Sequence, residues 1–453
     1  MRLLRAGARI LFSRVGQVLA NAAVVMIVAQ TLGPGGMGHY SLTVAVAMLL
    51  GSLLGGGMGV AAVPPLRQDR LPAARMLKAQ LLWAGGMVLL MFVLAVVTLS
   101  GQTAIFFRDH LGWFPGLGFA AVIAAASILG FEVFSYDLLA RGRLVVSAAI
   151  NGYRAMGHLA AIGLLWAVGG LDFARAVGIF AAAQLAGAVA VLITLQRDIR
   201  RRRHPEPVSQ GLPPEDLPTD LDSRSLAGLI RFNLSRGWVG QLSAVAYFLL
   251  LRLDQGLLEH FKGAAEVGIY SVGVYVGEML WLLPGALTPL LVHSSARNQG
   301  DPDRERTAAR ALRIGLGLVI AAAVPLYFLA QPLLELLAGG EYSASGASLR
   351  ALLPGIVAFA PGVVLAGDFI GRGKPHWNTQ ASVLTVVVNL IGAFQLIPRY
   401  GAVGAAYSSS IAYASGCVLM LVRFRMVTGF SWGRIFLGRH RAWLRRLRGR
   451  DTT

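Results

Sequence analysis

The chain has 453 residues, of which 55% are hydrophobic and only 14% are charged, and its mean hydropathy is +0.62. Soluble domains carry about 25% charged residues, so this composition excludes a soluble globular protein. The charged residues gather between apolar runs of roughly 20 residues, the length of helix that crosses a hydrocarbon core of about 30 Å. The sequence therefore predicts an all-α polytopic membrane protein.

Taken in chain order, the apolar runs predict twelve transmembrane helices. Unpaired backbone polar groups are costly in lipid, so runs of this length should be helical, and none of them alternates with the period of a barrel strand. The predicted spans are 10–31, 39–62, 79–99, 117–139, 145–168, 174–195, 227–251, 267–292, 312–335, 347–370, 378–397 and 402–422.

The two halves of the chain repeat each other. A shift of 230 residues aligns GPGGMGHYSLTVAVAMLL (33–50) with GAAEVGIYSVGVYVGEML (263–280), and a shift of 231 aligns DLLARGR (137–143) with DFIGRGK (368–374). A weaker match places SRVGQ (13–17) on SRGWVGQ (235–241). Each half holds six spans, an even number, so the copies have the same orientation. We expect two parallel six-helix repeats around a central cavity.

The repeat divides the chain into four parts. An N-lobe (1–195) holds spans one to six, and a C-lobe (226–422) holds spans seven to twelve. A Pro-rich linker (196–225) joins them and has too little apolar content to pack. The tail (423–453) mixes Phe, Trp, Ile and Leu with Arg, which predicts an interfacial amphipathic helix, with a disordered basic tail as the alternative.

Lys and Arg concentrate at the N-terminus, in alternate loops, in the linker and in the tail. Positively charged loops stay in the cytoplasm, so both termini are predicted to be cytoplasmic. The net charge of +19 then reflects topology and requires no nucleic-acid partner. The N-terminus resembles a signal peptide, but its apolar run continues to Val28 and Arg14 interrupts it, which predicts an uncleaved first span. The single Cys417 excludes an intrachain disulfide and a Cys-based metal cluster.

The stretch TLGPGGMGHYS (31–41) contains the G-x-G-x-x-G spacing of a dinucleotide-binding loop. That fingerprint requires a preceding strand, whereas the residues before Gly33 belong to a predicted membrane helix. In the repeat Gly35 is replaced by Ala265, so the residue needed for close approach to a phosphate is lost. We therefore predict a short outer hairpin at this position.

Several of these motifs together resemble a known family. QTLGPGGMGHYSL, its G-x-Y-S echo in the second half, the RGR and RGK turns, and RYGAVGAAYSSSIAY (399–413) resemble the polysaccharide-transport (oligosaccharide flippase) branch of the multidrug/oligosaccharidyl-lipid/polysaccharide (MOP) exporter superfamily. The resemblance implies a two-lobed transporter of the bacterial cytoplasmic (inner) membrane. Such a protein flips a polyprenyl-diphosphate-linked oligosaccharide from the cytoplasmic to the outer leaflet by alternating access. Its implied partners are this substrate, membrane lipids, glycosyltransferases and a glycan polymerase.

Ionisable residues inside spans are costly and therefore mark candidate sites. Arg14 in the first span and Arg236 in the seventh are repeat-related, and a cationic pair of this kind suits a diphosphate because the guanidinium fork matches phosphate oxygens. Snorkelling to the inner interface is the alternative. Arg231 lies nearer the edge of the span and is a weaker candidate.

Arg154 and Glu132 lie about ten residues from the turn that joins spans four and five, so both are about 15 Å deep. This depth predicts a contact between them: a structural ion pair, a substrate-phosphate contact of Arg154 held by Glu132, or a proton or cation site at Glu132. Glu278, which precedes a predicted kink at Pro284, is a second candidate for coupling or for sugar contact, with a packing role as the alternative.

Asp137 with Arg141, and Asp368 with Arg372, are i,i+4 pairs at corresponding cytoplasmic ends of the two halves. This spacing places both charges on one helix face. The pairs either end their helices locally or exchange partners as an inner gate.

Other function classes fit less well. The chain contains no HExxH motif, P-loop or Cys/His cluster, so we expect no cofactor and no catalytic metal, and transport would be driven by H⁺, Na⁺ or the substrate gradient. A membrane glycosyltransferase or ligase would need acidic or His residues on large outer loops, whereas the longest outer loop (100–116) holds only Arg108, Asp109 and His110. A multidrug/cation antiporter of the same superfamily is the closer rival, although buried arginines would repel a cation.

Overall fold

The computed structural model of the protein describes residues 2–68, 70–99, 115–201, 224–288, 291 and 302–438. All regular secondary structure in these residues is helical. Two 3₁₀ turns, Met279–Trp281 and Gly340–Tyr342, interrupt the second half. The α-helices are α1 (Arg2–Gly55), α2 (Met58–Arg67), α3 (Ala73–Leu99), α4 (Pro115–Ala140), α5 (Leu144–Ala167), α6 (Phe173–Arg200), α7 (Leu226–Lys262), α8 (Ala264–Glu278), α9 (Leu282–Gly285), α10 (Pro302–Ala338), α11 (Ser345–Gly371), α12 (His376–Thr428) and α13 (Trp432–Leu437).

Eight helical stretches of the described residues are long and apolar enough to cross a membrane. Two of them, in α1 and α12, each contain two helical segments that meet at a glycine with non-helical geometry, Gly33 and Gly401. Helix α5 coincides with predicted span five, and α7 begins with predicted span seven and continues beyond its predicted end. The all-α polytopic class predicted from composition is confirmed, and the count of twelve spans stays a prediction.

The predicted hairpin between the first two spans depends on glycine geometry. Gly33 has φ of 65° and Gly263, its counterpart in the repeat, has φ of 85°. An L side chain is strained in this left-handed region and glycine is not, so the helix is broken at the same motif position in both halves. TLGPGGMGHYS therefore lies at a break between two helical segments rather than in a strand-to-helix phosphate loop, and the outer hairpin stays a prediction.

The described chain forms two compact units. The first comprises Met1–Val272 with Leu337–Glu341, and the second comprises Gly273–Leu336 with Tyr342–Thr453. The predicted lobe boundaries, 1–195 and 226–422, stay predictions. Residues 202–223 of the linker (196–225) and residues 439–453 of the tail (423–453) lie outside the described residues, as do Arg108, Asp109 and His110. Of the predicted tail helix, the structure describes the six-residue α13.

Within the first unit, the neighbours of each helix determine which side chains can meet. Helix α4 packs mainly against α1 and α6, whereas α5 packs mainly against α1 and secondarily against α6. Helices α4 and α5 are consecutive in the chain but have little mutual contact. In the second unit, α11 packs along α12.

Candidate functional site

A groove of about 480 Å³ lies between α5 and α6. This volume is within the range of about 300–1,000 Å³ that is usual for small-molecule sites. Nine of the twelve lining residues are Ala, Gly or Ile. The lining comprises Ile150, Tyr153, Arg154, Gly157, His158 and Ala161 from α5, and Ile179, Ala182, Ala183, Ala186, Gly187 and Ala190 from α6.

Arg154 supplies the charge of this groove. Its guanidinium donates hydrogen bonds from Nη1 to Oε1 of Gln184 and from Nη2 to Oδ1 of Asn151, the latter at 3.4 Å, and it stacks 5.4 Å from the ring centroid of Phe131. The Nε donor is buried and has no hydrogen-bond partner in the described part of the chain. Because no described lining residue is acidic, the groove presents an uncompensated cation with donors to spare.

The predicted contact between Arg154 and Glu132 is wrong. Glu132 instead accepts a hydrogen bond from Oγ of Ser52 at 3.4 Å, on the side of α4 that faces α1. Arg154 turns toward α6 and Gln184. Equal depth along two consecutive helices does not bring side chains together when the helices diverge beyond their shared turn.

His158 lies one helical turn beyond Arg154 on the same face of α5. It is 7% exposed and packs against Phe180 with ring centroids 5.8 Å apart. Its Nε2 is buried without a hydrogen-bond partner among the described residues. Sequence reasoning missed this residue, although its i,i+4 spacing from Arg154 was a usable signal.

The other candidate arginines occupy separate environments. Arg14 is exposed on α1, beside Ser13, whose hydroxyl donates to the carbonyl of Ala148 at 2.6 Å. Arg236 is exposed on α7, with its guanidinium carbon 5.2 Å from the ring centroid of Phe232. Arg231 is exposed on the same helix. The substrate roles of Arg14, Arg236 and Arg231 stay predictions.

The two i,i+4 pairs differ between the halves. Asp368 and Arg372 form the predicted ion pair, with Nε 2.5 Å from Oδ2 and both side chains buried. Asp137 is also buried and accepts a hydrogen bond from Nε2 of Gln80 at 2.9 Å. Helix α3 therefore supplies a neutral partner to this carboxylate, and the predicted contact with Arg141 stays a prediction.

Glu278 is half-buried and is the last residue of α8. The 3₁₀ turn that follows begins at Met279, and Pro284 lies in the short helix beyond it. The helix is therefore interrupted close to the predicted kink, but immediately after the glutamate rather than at the proline. Its coupling or sugar-contacting role stays a prediction.

Residues matched by the 230-residue shift contact each other at the predicted outer end of the first unit. A Cβ atom at Gly38 would overlap the carbonyl oxygen of Ala264, and one at its counterpart Gly268 would overlap the carbonyl oxygen of Pro34. Close by, Oγ of Ser41 donates a hydrogen bond to Oγ of Ser271 at 3.0 Å, and both serines are buried. The repeated motif thus packs against its own copy.

A second glycine contact lies toward the predicted cytoplasmic end. Helices α1 and α2 are separated by a break at Gly56 and Gly57, which have φ of 58° and 72°. A Cβ atom at Gly57 or at Gly237 of α7 would overlap the other residue's carbonyl oxygen. Gln241 caps the break: its Oε1 accepts from the Gly57 amide at 2.9 Å, and its Nε2 donates to the Ser52 carbonyl at 2.5 Å.

Asp254 is a buried carboxylate that sequence reasoning missed. It is 1% exposed, accepts a hydrogen bond from the Tyr270 hydroxyl, and accepts the Gln255 amide at 2.8 Å. The predicted seventh span ended at residue 251, whereas α7 continues to Lys262. The signal was present, because Asp254 continues the i,i+4 series of buried Leu250 and Leu258.

Comparison with known sequences identifies related proteins. Residues 283–439 match the family described as "Lipid II flippase MurJ". The capsular polysaccharide biosynthesis protein CapF of Staphylococcus aureus is 27% identical over 159 residues, which are 34% of this chain and 40% of CapF. The probable low-salt glycan biosynthesis flippase Agl15 of Haloferax volcanii is 23% identical over 206 residues, 45% of this chain and 42% of Agl15. The aligned chain thus spans less than half the length of these two relatives.

Solved structures match over almost the whole chain. A lipid II flippase MurJ in an inward closed conformation superimposes with a TM-score of 0.68 at 14% identity, over 99% of this chain and 93% of MurJ. An inward-facing multidrug resistance transporter of the MATE family, within the MOP superfamily, gives 0.63 at 16% identity, over 91% of this chain and 94% of the transporter. These matches establish the fold.

Proposed function

Starting from the fold that this chain shares with MurJ and with MATE transporters of the MOP superfamily, we propose that it is a lipid-linked oligosaccharide flippase. It moves a polyprenyl-diphosphate glycan from the cytoplasmic to the outer leaflet by alternating access, and it is a transporter rather than an enzyme. The related proteins support this proposal: one family of lipid II flippases, one capsular polysaccharide biosynthesis protein and one probable glycan biosynthesis flippase.

The observation that carries the proposal is Arg154 in its groove. The guanidinium lies about ten residues into α5, which places it about 15 Å from the start of the helix, near the middle of a bilayer core. A diphosphate crossing this depth has lost its water and needs charged donors in exchange. Arg154 offers a permanent charge and an unused Nε donor there.

A multidrug or cation antiporter is the rival, because MATE transporters have the same fold. The electrostatics of the groove argue against it. An organic cation would meet Arg154 with no acidic residue among the described lining residues to offset the repulsion.

The test is transport in reconstituted vesicles with a fluorescent polyprenyl-diphosphate oligosaccharide. We expect the wild type to accelerate its transbilayer movement, and Arg154→Gln to slow that movement by roughly 10-fold to 100-fold, the scale of a lost charge-assisted hydrogen bond. Arg175→Gln is the matched control, since Arg175 is an exposed arginine paired with Asp172. The flippase proposal is contradicted if the wild type does not accelerate movement of the glycolipid, or if it exports a fluorescent organic cation instead.

The remaining parts of the proposal concern the cellular setting. We place the chain in the bacterial cytoplasmic membrane with both termini in the cytoplasm. Glycosyltransferases that assemble the glycan on its carrier supply the substrate, and a glycan polymerase consumes it. Coupling to H⁺ or Na⁺ through Glu132 or Glu278 is tested by the same vesicles with and without each ion gradient, in the wild type and in the Glu→Gln variants.

A further inference from the structure

We propose that the groove between α5 and α6 binds the phosphate-proximal part of the polyprenyl chain, with the diphosphate at Arg154 and His158 and the glycan outside the groove. This inference rests on the proposed flippase function and adds a location for the lipid part of the substrate. It follows from the polarity of the groove, its unused hydrogen-bond donors, the exposed apolar side chains of its two helices and its depth.

The polarity of the groove excludes the glycan. Only Tyr153, Arg154 and His158 among the twelve lining residues carry polar side chains. Each sugar presents several hydroxyls, and each hydroxyl buried without a partner costs roughly 1–3 kcal/mol. The methyl-branched hydrocarbon of a polyprenyl chain has no such requirement and gains from burial against Ala, Gly and Ile.

The two nitrogen-bearing side chains that line the groove are one helical turn apart. Arg154 and His158 are four residues apart on α5, so they stack on one face of the helix. Each has a buried nitrogen without a hydrogen-bond partner in the described residues, Nε and Nε2 respectively. Buried nitrogens are normally hydrogen-bonded, and an anionic oxygen bound here would satisfy both, with His158 in its Nε2–H tautomer.

The two helices that form the groove also carry exposed apolar side chains. Five large ones are 42–66% exposed: Met156 and Leu164 on α5, and Leu185, Val189 and Ile193 on α6. Exposed apolar surface of this extent in a membrane helix is typical of contact with lipid. From Ile150 to Ala161 the lining of α5 extends roughly 16 Å along the helix, so a chain can enter sideways and lie lengthwise.

The depth of Arg154 distinguishes a transported lipid from an ordinary phospholipid. A resting phospholipid keeps its phosphate at the interface, about 15 Å from this guanidinium. Only a lipid whose phosphate crosses the middle of the bilayer brings an anion to Arg154 while its chain remains in hydrocarbon. We therefore assign the groove to the translocated carrier.

The test uses sugar-free polyprenyl diphosphate with a photoreactive diazirine in its first isoprene units, added to vesicles containing the full chain. We expect photolabelling of α5 and α6 around Gly157–Ala161 and Ala182–Ala190. Ala186→Phe should block the groove, lower the labelling at least 10-fold and slow flipping of the glycolipid to a similar degree. Ala160→Phe is the matched control, because Ala160 is an exposed alanine of α5 that does not line the groove, and it should label and flip like the wild type.

His158→Leu provides a second arm. We expect His158→Leu to lower the labelling roughly 10-fold, because a hydrogen bond to the charged diphosphate is lost. Unchanged labelling would mean that the unpartnered nitrogen is only a packing defect. The groove assignment is overturned if the wild type flips glycolipid but Ala186→Phe labels and flips as well, or if phosphatidylglycerol competes as strongly as unlabelled carrier. Groove labelling in a wild type that flips nothing supports the binding site and rejects the flippase, so the two failures are distinguishable.

Discussion

Asp368 and Arg372 show what a charged side chain requires inside this protein. Both are almost fully buried, at 0% and 7% side-chain exposure, and each compensates the other at 2.5 Å. Such a pair adds little compared with apolar residues of the same shape, but removing one partner leaves the other charge buried and uncompensated. Burial therefore makes this pair a structural requirement of the second compact unit, whether or not it also moves during transport.

We predict that Asp368→Asn destabilises the protein by about 3 kcal/mol or more, because the guanidinium of Arg372 loses its counter-ion in a buried position. The measurement is folded yield and thermal unfolding in detergent, by size-exclusion chromatography at increasing temperature.

Asp172→Asn is the matched control for this prediction. Asp172 and Arg175 form an ion pair at 3.4 Å with side chains 56% and 58% exposed, and asparagine retains the helix cap that Asp172 provides to α6. The control should change stability by less than about 1 kcal/mol. A normal yield of Asp368→Asn with altered flipping would instead favour the gate interpretation.

Sequence spacing predicted this residue-level chemistry only where the contact is local. The i,i+4 rule identified Asp368 with Arg372 because a single helix determines their geometry. It did not reveal that Asp137 also binds Gln80, which comes from another helix. Spacing also did not predict the partners of Arg154, because those depend on which neighbouring helix α5 faces and not on how deep the residue lies in the membrane.

Helix breaks are the main features at the level of elements. The break at Gly57 leaves an amide unsatisfied within α1 and α2, and the side chain of Gln241 from α7 satisfies it. The same glutamine holds Ser52, which in turn donates to Glu132. A candidate coupling acid of the first half is thus connected by hydrogen bonds to a helix of the second half through a helix break.

We predict that Gly237→Ala disrupts this arrangement. The new methyl would overlap the carbonyl oxygen of Gly57, so α7 must move away from the break, at a cost of about 1–3 kcal/mol for overpacking. Thermal unfolding in detergent measures the loss. Gly85→Ala in α3 is the matched control, because nothing lies within 4 Å of its added Cβ, and it should be neutral or stabilising by up to about 1 kcal/mol. Equal stability of the two variants would exclude a tight contact at Gly57.

The sequence predicted the elements well where one signal was sufficient. Apolar runs located the membrane helices, and the repeated glycine located the helix break at Gly33. The three consecutive glycines of GSLLGGGMG were present in the second predicted span but were not interpreted as a break. Recognising them required knowledge that Gln241, 184 residues away, supplies the missing hydrogen bond.

At the scale of the whole molecule, the internal repeat relates the residues that meet at the predicted outer end. Gly38 and Gly268, and Ser41 and Ser271, are related by the same 230-residue shift. Their mutual contacts require the smallest side chains, because any Cβ atom at either glycine would overlap backbone.

We predict that this contact opens during transport. In a Ser41→Cys, Ser271→Cys double variant, oxidation should form a disulfide, because the two hydroxyl oxygens are 3.0 Å apart and the S–S bond spans about 2.05 Å. Flipping should stop on oxidation and return on addition of reductant. The two single-cysteine variants are the controls. Oxidation should not affect them, because the native Cys417 is buried and should not form a disulfide with the new cysteine. Undiminished flipping by the cross-linked protein would show that this end stays closed throughout the cycle.

Orientation is a second prediction at this scale. Arg201 and Lys262 are exposed at the ends of α6 and α7, which the distribution of basic residues assigns to opposite sides of the membrane. An impermeant maleimide applied to spheroplasts should label Lys262→Cys and should reach Arg201→Cys only after permeabilisation. The reverse pattern would invert the topology.

The hydrogen bond between Ser41 and Ser271 has a consequence for the origin of the chain. In a symmetric homodimer, a residue can touch its own copy only where it lies on the twofold axis, and the interface is then isologous. Here two repeat-related serines and two repeat-related glycines meet within one polypeptide. We infer that the axis relating the two halves of the repeat passes through this contact, as it would in an ancestral dimer of two such halves.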